Sequence, residues 1–528
     1  MKTKMSRRRA DRKRRDRRLK SRRQQIYQRL QRANREKYLR VARCAGPVFN
    51  EANLKYELAD KARGVVYGGA GLMLQLARQV GLVGAIDRHV QLLKVHCPYH
   101  ESDHVLNLAL NALCEGTCLQ DIELRRNDAV FLDALGVAAL PDPTTAGDFC
   151  RRFAETDVIG LMTAINEARA NVWKQQQPEF FDEAVIDADG TLVVTTGECK
   201  GGMDISYKGS WGYHPLLISL ANTQEPLFII NRSGNRPSEE GAAQWLDQAA
   251  RLCREAGFRR VRLRGDTAFS QTTELDRWDE AGLVFQFGYD AMANLKKMAD
   301  ELPPELWQKL QRPSRHVPDG KSRARSPMVK RQVIRRREFL HLELNSEEVA
   351  EFDYQPTACS RPYRLVAVRK HISREKGEAC LFEEIRYLFY ITNDRESPRE
   401  EIVFGCNDRC DQENLISHLA SGVRALTAPV DNLVSNWAYM VSVSIAWSLK
   451  AWSALLLPDS PSQSRPPATD RRSWLRMEFK SWVNAVMKVP CQIVKQARRI
   501  VHRVLNGNKY LSAFFWLSDL LESRVLLQ

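Results

Sequence analysis

Three short segments of this 528-residue chain carry the residue types that could do chemistry together. Val185-Ile-Asp-Ala-Asp-Gly-Thr191 and Leu263-Arg-Gly-Asp-Thr-Ala-Phe269 each end a β-branched or apolar run on an aspartate. Cys406-Asn-Asp-Arg-Cys-Asp-Gln-Glu-Asn414 places a glutamate in a helical pattern much further along. Two strand-borne aspartates and one helix-borne glutamate can together hold a pair of divalent cations, the arrangement that breaks and rejoins phosphodiester bonds. An all-carboxylate donor set favours two Mg²⁺ (or Mn²⁺) ions over zinc.

The individual residues differ in how well their context supports that chemistry. Asp187 and Asp189 stand two apart, so on an extended strand both point to one side. The flanking Ala184, Val185, Ile186, Leu192, Val193 and Val194 are too apolar for a strand edge in water, and a carboxylate there needs a cation or a partner. Asp189 is the candidate ligand, with Asp187 as its substitute or as a supporting group. Asp266 follows Val261, Leu263 and an Arg-Gly step, at the carboxyl end of a strand where open α/β sheets collect ligands. The bland alternative for Asp266 is an N-cap of the next helix. Arg409 and Glu413 are four apart, so the expectation is that they share one helical face. A plain surface Arg–Glu pair is the alternative there, and Asp408 and Asp411 compete for the ligand role.

Positioning these groups requires a sheet and at least one helix, and the periodicity supplies both. Ala184 to Thr195, His214 to Ala221 and Pro226 to Asn231 read as strands, followed by an apolar helical stripe in Glu239 to Ala256 that stops at Gly257. Arg259 to Arg264 and Leu283 to Gly288 are further strands with a short helix between them. That order, with a glutamate helix to come, matches an RNase H-like mixed sheet. Strand-like alternation restarts in Val333-Ile334, Phe339 to Leu344, Tyr363 to Val368 and Ile385 to Thr392. The fold class is therefore α/β: an RNase H-like mixed-sheet catalytic domain interrupted by a β-rich insertion, with a helical N-terminal domain and a helical C-terminal region. The expected divisions are a basic arm 1–43, a helical domain 44–175 that binds DNA, the first part of the core 176–290, the insertion 291–392, the second part of the core with the glutamate helix 393–457, and the helical C-terminal region 458–528. Thr144 or Thr145 is placed to cap a helix running through Phe149 and Phe153.

The net charge of +16 is concentrated at one end: residues 1–43 hold twenty Lys/Arg against Asp11, Asp16 and Glu36, leaving the remaining chain close to neutral. Arg7, Arg8, Arg9, Arg14 and Arg15 can neutralise phosphates and release their counterions, although a solvated tail or localisation signal has the same composition. Ile26, Leu30, Tyr38 and Leu39 permit a helix there. The twelve cysteines include no CxxC pair and no secretory segment leads the chain, which points to a reducing cytoplasm. His96, Cys97, His100, His104, Cys114 and Cys118 fit no standard zinc spacing and read as structural. Tyr439 to Leu457 reads as a buried helix and not a membrane span, and Gly68-Gly-Ala-Gly71 lacks the Lys-Ser/Thr of a phosphate loop.

At these residues the chain resembles DDE transposases of bacterial insertion sequences, in the cut-and-paste branch whose RNase H-like domain carries a β-strand insertion. The resemblance runs over most of 85–525 and is strongest across 184–290. It rests on Asp189-Gly-Thr, Gly197-Glu-Cys-Lys-Gly-Gly, Tyr207-Lys-Gly, Gly212-Tyr-His-Pro-Leu216, Asn231-Arg-Ser-Gly-Asn-Arg236 and Arg264-Gly-Asp-Thr267. It implies a catalytic triad of Asp189, Asp266 and Glu413. The family's signature around the glutamate (Tyr, Arg, Glu, Lys) falls here on Cys406, Arg409, Glu413 and Ala420, so Arg and Glu match while Tyr and Lys do not. Arg424 and His418 are candidates to supply the missing cation. Asn432 to Leu455 and Met477 to Val489 resemble the family's C-terminal region, which implies packing and synaptic dimerisation.

The expected function is a DNA transposase that binds terminal inverted repeats, cleaves the element's ends with two metal ions and joins the 3′ ends to target DNA. Its partners would be double-stranded DNA and a second copy of the chain, with no membrane, in the bacterial cytoplasm at the nucleoid. Lys208 and Arg409 are further phosphate-contact candidates. The rivals are an RNase H-like nuclease or resolvase without strand transfer, and a catalytically inactive DNA-binding protein derived from a transposase.

Overall fold

The computed structural model describes residues 17–36, 62–197, 199–311, 341–376, 379–458, 471–496, 499–505 and 507–523. The arm residues Arg7, Arg8, Arg9, Arg14 and Arg15, the Val333-Ile334 strand and Tyr38-Leu39 lie outside them. The described chain divides into two compact units, one formed by 181–190 and 237–412 and the other by the remaining segments.

The first of these is built on a mixed sheet. Its strands are β1 (Glu183–Gly190), β2 (Arg260–Gly265), β3 (Val284–Tyr289), β4 (Gln308–Lys309), β5 (His341–Tyr354), β6 (Tyr363–Lys376) and β7 (Ala379–Thr392). Across this unit they run β4-β5-β6-β7-β3-β2-β1. The β1–β2 and β2–β3 pairs are parallel, and β3–β7, β7–β6, β6–β5 and β5–β4 are antiparallel. The insertion strands thus extend the core sheet edge to edge, through Phe389 opposite Tyr289 and Thr392 opposite Gln286.

One face of the parallel strands is apolar. Ala184, Ile186, Ala188, Val261, Leu263, Phe285 and Phe287 are buried. So are Trp245, Leu246, Ala249 and Cys253 of the helix Ala242–Ala256, and Leu275 and Trp278 of the helix Thr272–Glu280. The Trp278 and Phe287 rings lie 5.6 Å apart. Burying side chains of this size at about 25 cal/mol per Å² is what holds the helices to the sheet. The opposite face carries alternate charged residues, Glu183, Asp187 and Asp189 on β1 and Arg260, Arg262 and Arg264 on β2. The helix Arg399–Asn407 packs Ile402 and Val403 against Val349, Val366 and Val368.

The second unit is mainly helical. Gly69–Gln79, Leu82–His89, Glu101–Leu113, Pro143–Arg151 and Glu155–Trp173 are helices. The long helix Leu433–Leu455 is buried along almost its whole length. No single helix among the described residues is long and apolar enough to cross a membrane. Asp142, not Thr144 or Thr145, caps Pro143–Arg151: its Oδ1 accepts from the Thr145 amide at 2.9 Å, with Pro143 in the first turn. The Asp carboxylate sits one residue before the proline, where the chain is still extended and its oxygen can reach back to the free amide. Gly68 and Gly69 are packing glycines, since a Cβ on either would lie under 2.5 Å from Val489 O or Val486 O.

Glu225 is fully buried at the centre of this unit, on the hairpin of Leu216–Leu220 and Glu225–Ile230. Its Oε1 accepts from Arg169 Nε at 3.0 Å and Trp452 Nε1 at 2.8 Å, and its Oε2 from Trp173 Nε1 at 3.1 Å and Thr223 Oγ1 at 2.6 Å. Partners on both oxygens are what makes a carboxylate tolerable at zero exposure.

Two expectations about continuous elements give way here. The run Ala184 to Thr195 breaks at Gly190, and Val193–Val194 joins a separate small sheet with Trp211–Tyr213 and Asp204–Ile205. The C-terminal region is not all helix: Cys491–Gln496 and Arg499–Val504 form an antiparallel hairpin beside Gly64–Val65. Its inward residues alternate with period two, Cys491 and Ile493 against Val504 and His502, and that pattern decides for strand.

Candidate active site

The charged face of β1 and β2 is a ladder of rungs, and the rungs differ. At the strands' amino ends Glu183 stands opposite Arg260. Arg262 Nη2 lies 2.9 Å from Glu183 Oε1, and Arg262 Nη1 and Arg260 Nη2 lie 3.1 and 2.9 Å from Asp394 Oδ2. Burial alone would raise the Asp394 carboxyl, but hydrogen bonds from Ser397 and the Glu396 amide together with Arg262 hold it well below the usual range. In the middle Asp187 stands opposite Arg264, which grips it with both arms of the guanidinium at 2.7 and 2.9 Å. Arg264 also donates to Gly405 O at 2.7 Å, and Gln412 Nε2 donates to the Asp187 carbonyl at 3.1 Å. Burial pushes the Asp187 carboxyl upward against the pull of Arg264. Asp187 is therefore a clamped structural acid, and its two oxygens are committed to an arginine.

Two residues beyond that rung stand Asp189 on β1 and Asp266 at the end of β2. The β1–β2 register ends at the Asp187–Arg264 rung, so both acids lie beyond it, at the carboxyl ends of adjacent strands. Like charges on adjacent strands are unfavourable unless a cation lies between or beside them. Arg409 supplies one: its Nη1 donates to Asp189 Oδ2 at 3.0 Å, with both side chains only about one-sixth exposed, 17% and 15%. Asp266 caps the short 3-10 turn Thr267–Phe269, its Oδ1 accepting from the Ala268 amide at 3.0 Å. Asp266 thus directly follows β2 and caps the next turn, the cap using one oxygen. Among the described residues Oδ2 makes no hydrogen bond. Gly265 before it is required by close approach, because a Cβ there would meet the Phe269 side chain at 2.6 Å.

Arg409 departs from its sequence reading. Residues 408 and 409 form a turn between the helices Arg399–Asn407 and Cys410–Ser417, so Arg409 does not share a helical face with Glu413. The helix restarts one residue too late, and the guanidinium goes to Asp189. Glu413 is exposed on Cys410–Ser417 and falls in the segment grouped with the other unit. Cys406, at the position of the expected tyrosine, is a half-buried thiol pushed up to about 12 by desolvation, so it offers no phosphate-binding group. Lys208 is exposed beside the exposed Tyr207, its Nζ 5.3 Å from the ring centre. Sequence reading missed Arg264 and Asp394. The available signal was the Arg-x-Arg-x-Arg alternation of 260–264, which on a strand demands acids on the neighbouring strand.

The histidine cluster is structural where it is buried. His104 stacks on Phe149 with ring centres 4.5 Å apart. His96, His100 and Glu101 bring ligand atoms within 4.8 Å of one another, but the two rings stack face to face at 6°, so their in-plane lone pairs do not converge on one point.

The transposase DDE domain group 1 family model matches residues 64–514. This chain belongs to that family. As a DDE transposase it is a member of a group of metal-dependent DNA-cutting enzymes, and the acid pair at the end of β1 and β2 lies inside the matched region. No curated relative matches it. A solved piggyBac transposase synaptic complex with hairpin DNA is similar at 11% identity and a TM-score of 0.38, covering 81% of this chain and 83% of that one. That similarity is too low to carry any feature of the complex across.

Proposed function

We propose that this DDE transposase belongs to a bacterial insertion element, binds the element's terminal inverted repeats, cleaves the ends and joins the 3′ ends to target DNA within a dimer on the nucleoid. The observation that carries the proposal is the placement of Asp189 and Asp266 at the carboxyl ends of two adjacent parallel strands, beyond the Asp187–Arg264 rung. An oxygen-only donor set at the carboxyl end of parallel strands fits hard divalent cations. Asp189, Asp266 and Glu413 would hold two Mg²⁺ or Mn²⁺ ions on an RNase H-like sheet. When bound, such a pair activates a water or 3′-hydroxyl nucleophile and stabilises the leaving oxygen.

The chain's own residues prepare that chemistry. Arg264 fixes Asp187 and with it the strand two residues from Asp189. Arg409 keeps Asp189 oriented and its charge compensated, and gives a cation at the site to meet a scissile phosphate. The Ala268 amide holds Asp266 by one oxygen and leaves the other to bind.

The test is Asp266→Asn in the full chain, assayed with duplexes carrying the DNA that flanks the reading frame. End binding is expected to persist while Mg²⁺-dependent cleavage is lost; unchanged cleavage sinks the assignment. Offering pre-cut 3′-OH ends and a plasmid to the wild type separates the rivals. Joined products support transposition, nicks alone indicate a nuclease, and binding without cutting indicates an inactive descendant.

A further inference from the structure

We propose that the C-terminal hairpin of Cys491–Gln496 and Arg499–Val504 is a two-stranded ribbon that reads base edges in the major groove of the element's end, flanked by the helix of residues 17–36 as its phosphate clamp. This rests on the transposase reading for the identity of the DNA and adds the element that recognises its sequence.

The hairpin has two unlike faces. Directly opposed residues of an antiparallel pair share a face. The inner face pairs Ile493 with His502 and Lys495 with Ile500. Ile493 is buried, the His502 ring lies 3.2 Å from the Cβ position of Gly71, and Lys495 is bonded to Asp133. The outer face pairs Gln492 with Arg503, Val494 with Val501, and Gln496 with Arg499. Arg499, Arg503 and Gln496 are exposed and Gln492 is half-buried. Arg503 Nη1 donates to Gln492 Oε1 at 3.2 Å, which holds the two side chains side by side.

Two cross-strand Gln·Arg pairs separated by a pair of valines carry the donor, acceptor and methyl groups that reading bases requires. The B-form major groove admits a two-stranded ribbon. There arginine bonds guanine O6 and N7, glutamine bonds adenine N6 and N7, and small aliphatic groups meet the thymine methyl. Asp133 is engaged by Lys495 and Arg63 and Asp519 by Arg22, while Glu522 lines the cavity that Arg499 also borders. On the two strands themselves the outer face carries Arg499 and Arg503 and no acid.

The basic helix is docked against this hairpin. Leu19 and Ile26 are buried, Arg22 lies 2.7 Å from Asp519 and 4.6 Å over the Phe515 ring, and Arg29 Nη1 donates to Val504 O at 3.2 Å. These anchors use one side of the helix and leave Arg17, Arg18, Lys20, Arg32 and Arg35 exposed. A rigid row of cations beside a groove-reading ribbon divides the work in the usual way, with phosphate contacts positioning and base contacts specifying.

The experiment measures affinity by fluorescence anisotropy with the full-length Asp266→Asn protein, which cannot cut its probe. The probes are a duplex of the DNA flanking the reading frame and a scrambled duplex of the same length and composition. The pair Arg499→Lys and Arg503→Lys keeps the charge but removes the bidentate fork. It is expected to lower affinity for the flanking duplex by roughly 10- to 100-fold and leave the scrambled one unchanged. The pair Arg18→Gln and Lys20→Gln is expected to weaken both duplexes alike and to reduce the salt slope by about 0.9 for each phosphate no longer neutralised. Full discrimination in the arginine-to-lysine pair overturns the ribbon assignment, as does equal weakening of both probes, or a wild-type surface that does not discriminate them. Failure of the transposase reading would show differently, as cleavage unaffected by Asp266→Asn.

Discussion

The two ends of the same pair of strands treat their carboxylates in opposite ways. At the amino ends of β1 and β2, Glu183 and Asp394 are surrounded by Arg260 and Arg262, and nothing is left to react. At the carboxyl ends Asp189 and Asp266 lie beyond the last paired rung, and Arg409 reaches Asp189 from a distant turn. What differs is where the partners come from, the neighbouring strand at one end and a distant turn at the other. A paired, buried carboxylate is a structural group whose removal strands a charge. A carboxylate at the carboxyl end of a parallel strand is placed where such sheets collect ligands.

The comparison is sharpest where the effects are largest. Asp266→Asn, or Asp189→Asn, is expected to lower Mg²⁺-dependent end cleavage by roughly 10³-fold or more, on the order of 4 kcal/mol of transition-state stabilisation. The urea midpoint should barely move. A variant that unfolds while retaining cleavage per folded molecule would put these acids with the structural group.

Asp394→Asn should do the reverse. It leaves Arg262, 11% exposed, without its buried partner, and is expected to cost about 3 kcal/mol of stability. Cleavage by the remaining folded protein should be unchanged, as read by urea titration beside a single-turnover assay.

Acid probes the same site without mutation. The Asp394 carboxyl is depressed in the folded chain, so its contribution is present above the unfolded carboxylate value of about 3.9 and is lost as pH falls toward the lower folded value. The urea midpoint of the wild type should therefore fall more steeply below about pH 4 than that of Asp394→Asn. Parallel curves would show that the amino-end network is not what acid dissolves.

Arg409→Ala tests the one cation at the open end. Its pair with Asp189 is about one-sixth exposed, so stability should fall by about 1–2 kcal/mol, between a surface pair and a buried one. Cleavage is expected to drop roughly tenfold through loss of orientation at Asp189, with Arg409→Lys recovering part of it. A large loss of stability instead would make the carboxyl end another closed network.

How much of this was legible depended on the range of the interactions. Asp266 was readable because an apolar strand that ends on Gly-Asp announces itself locally. Asp187 and Asp189 were not separable, since both share one face of β1 and only the position of Arg264 tells them apart. Arg409 was misplaced because a four-residue spacing suggests one helix turn, whereas the helix breaks at 408 and 409. The hairpin of 491–504 was read as part of a helical region because its charges obscure a short period-two pattern.

The sequence by itself determined the strand and helix periods of the core, the acid at the end of β2, the concentration of charge at the amino end and the family blocks that surround the acids. Those are local patterns, set by side-chain spacing along 2- and 3.6-residue repeats. Only the tertiary structure decided which carboxylates are neutralised, because that follows from strand register and from arginines up to hundreds of residues away. Register is a non-local property: it sets Arg264 opposite Asp187, while Asp189, two residues on, is met by Arg409 from a turn 220 residues away.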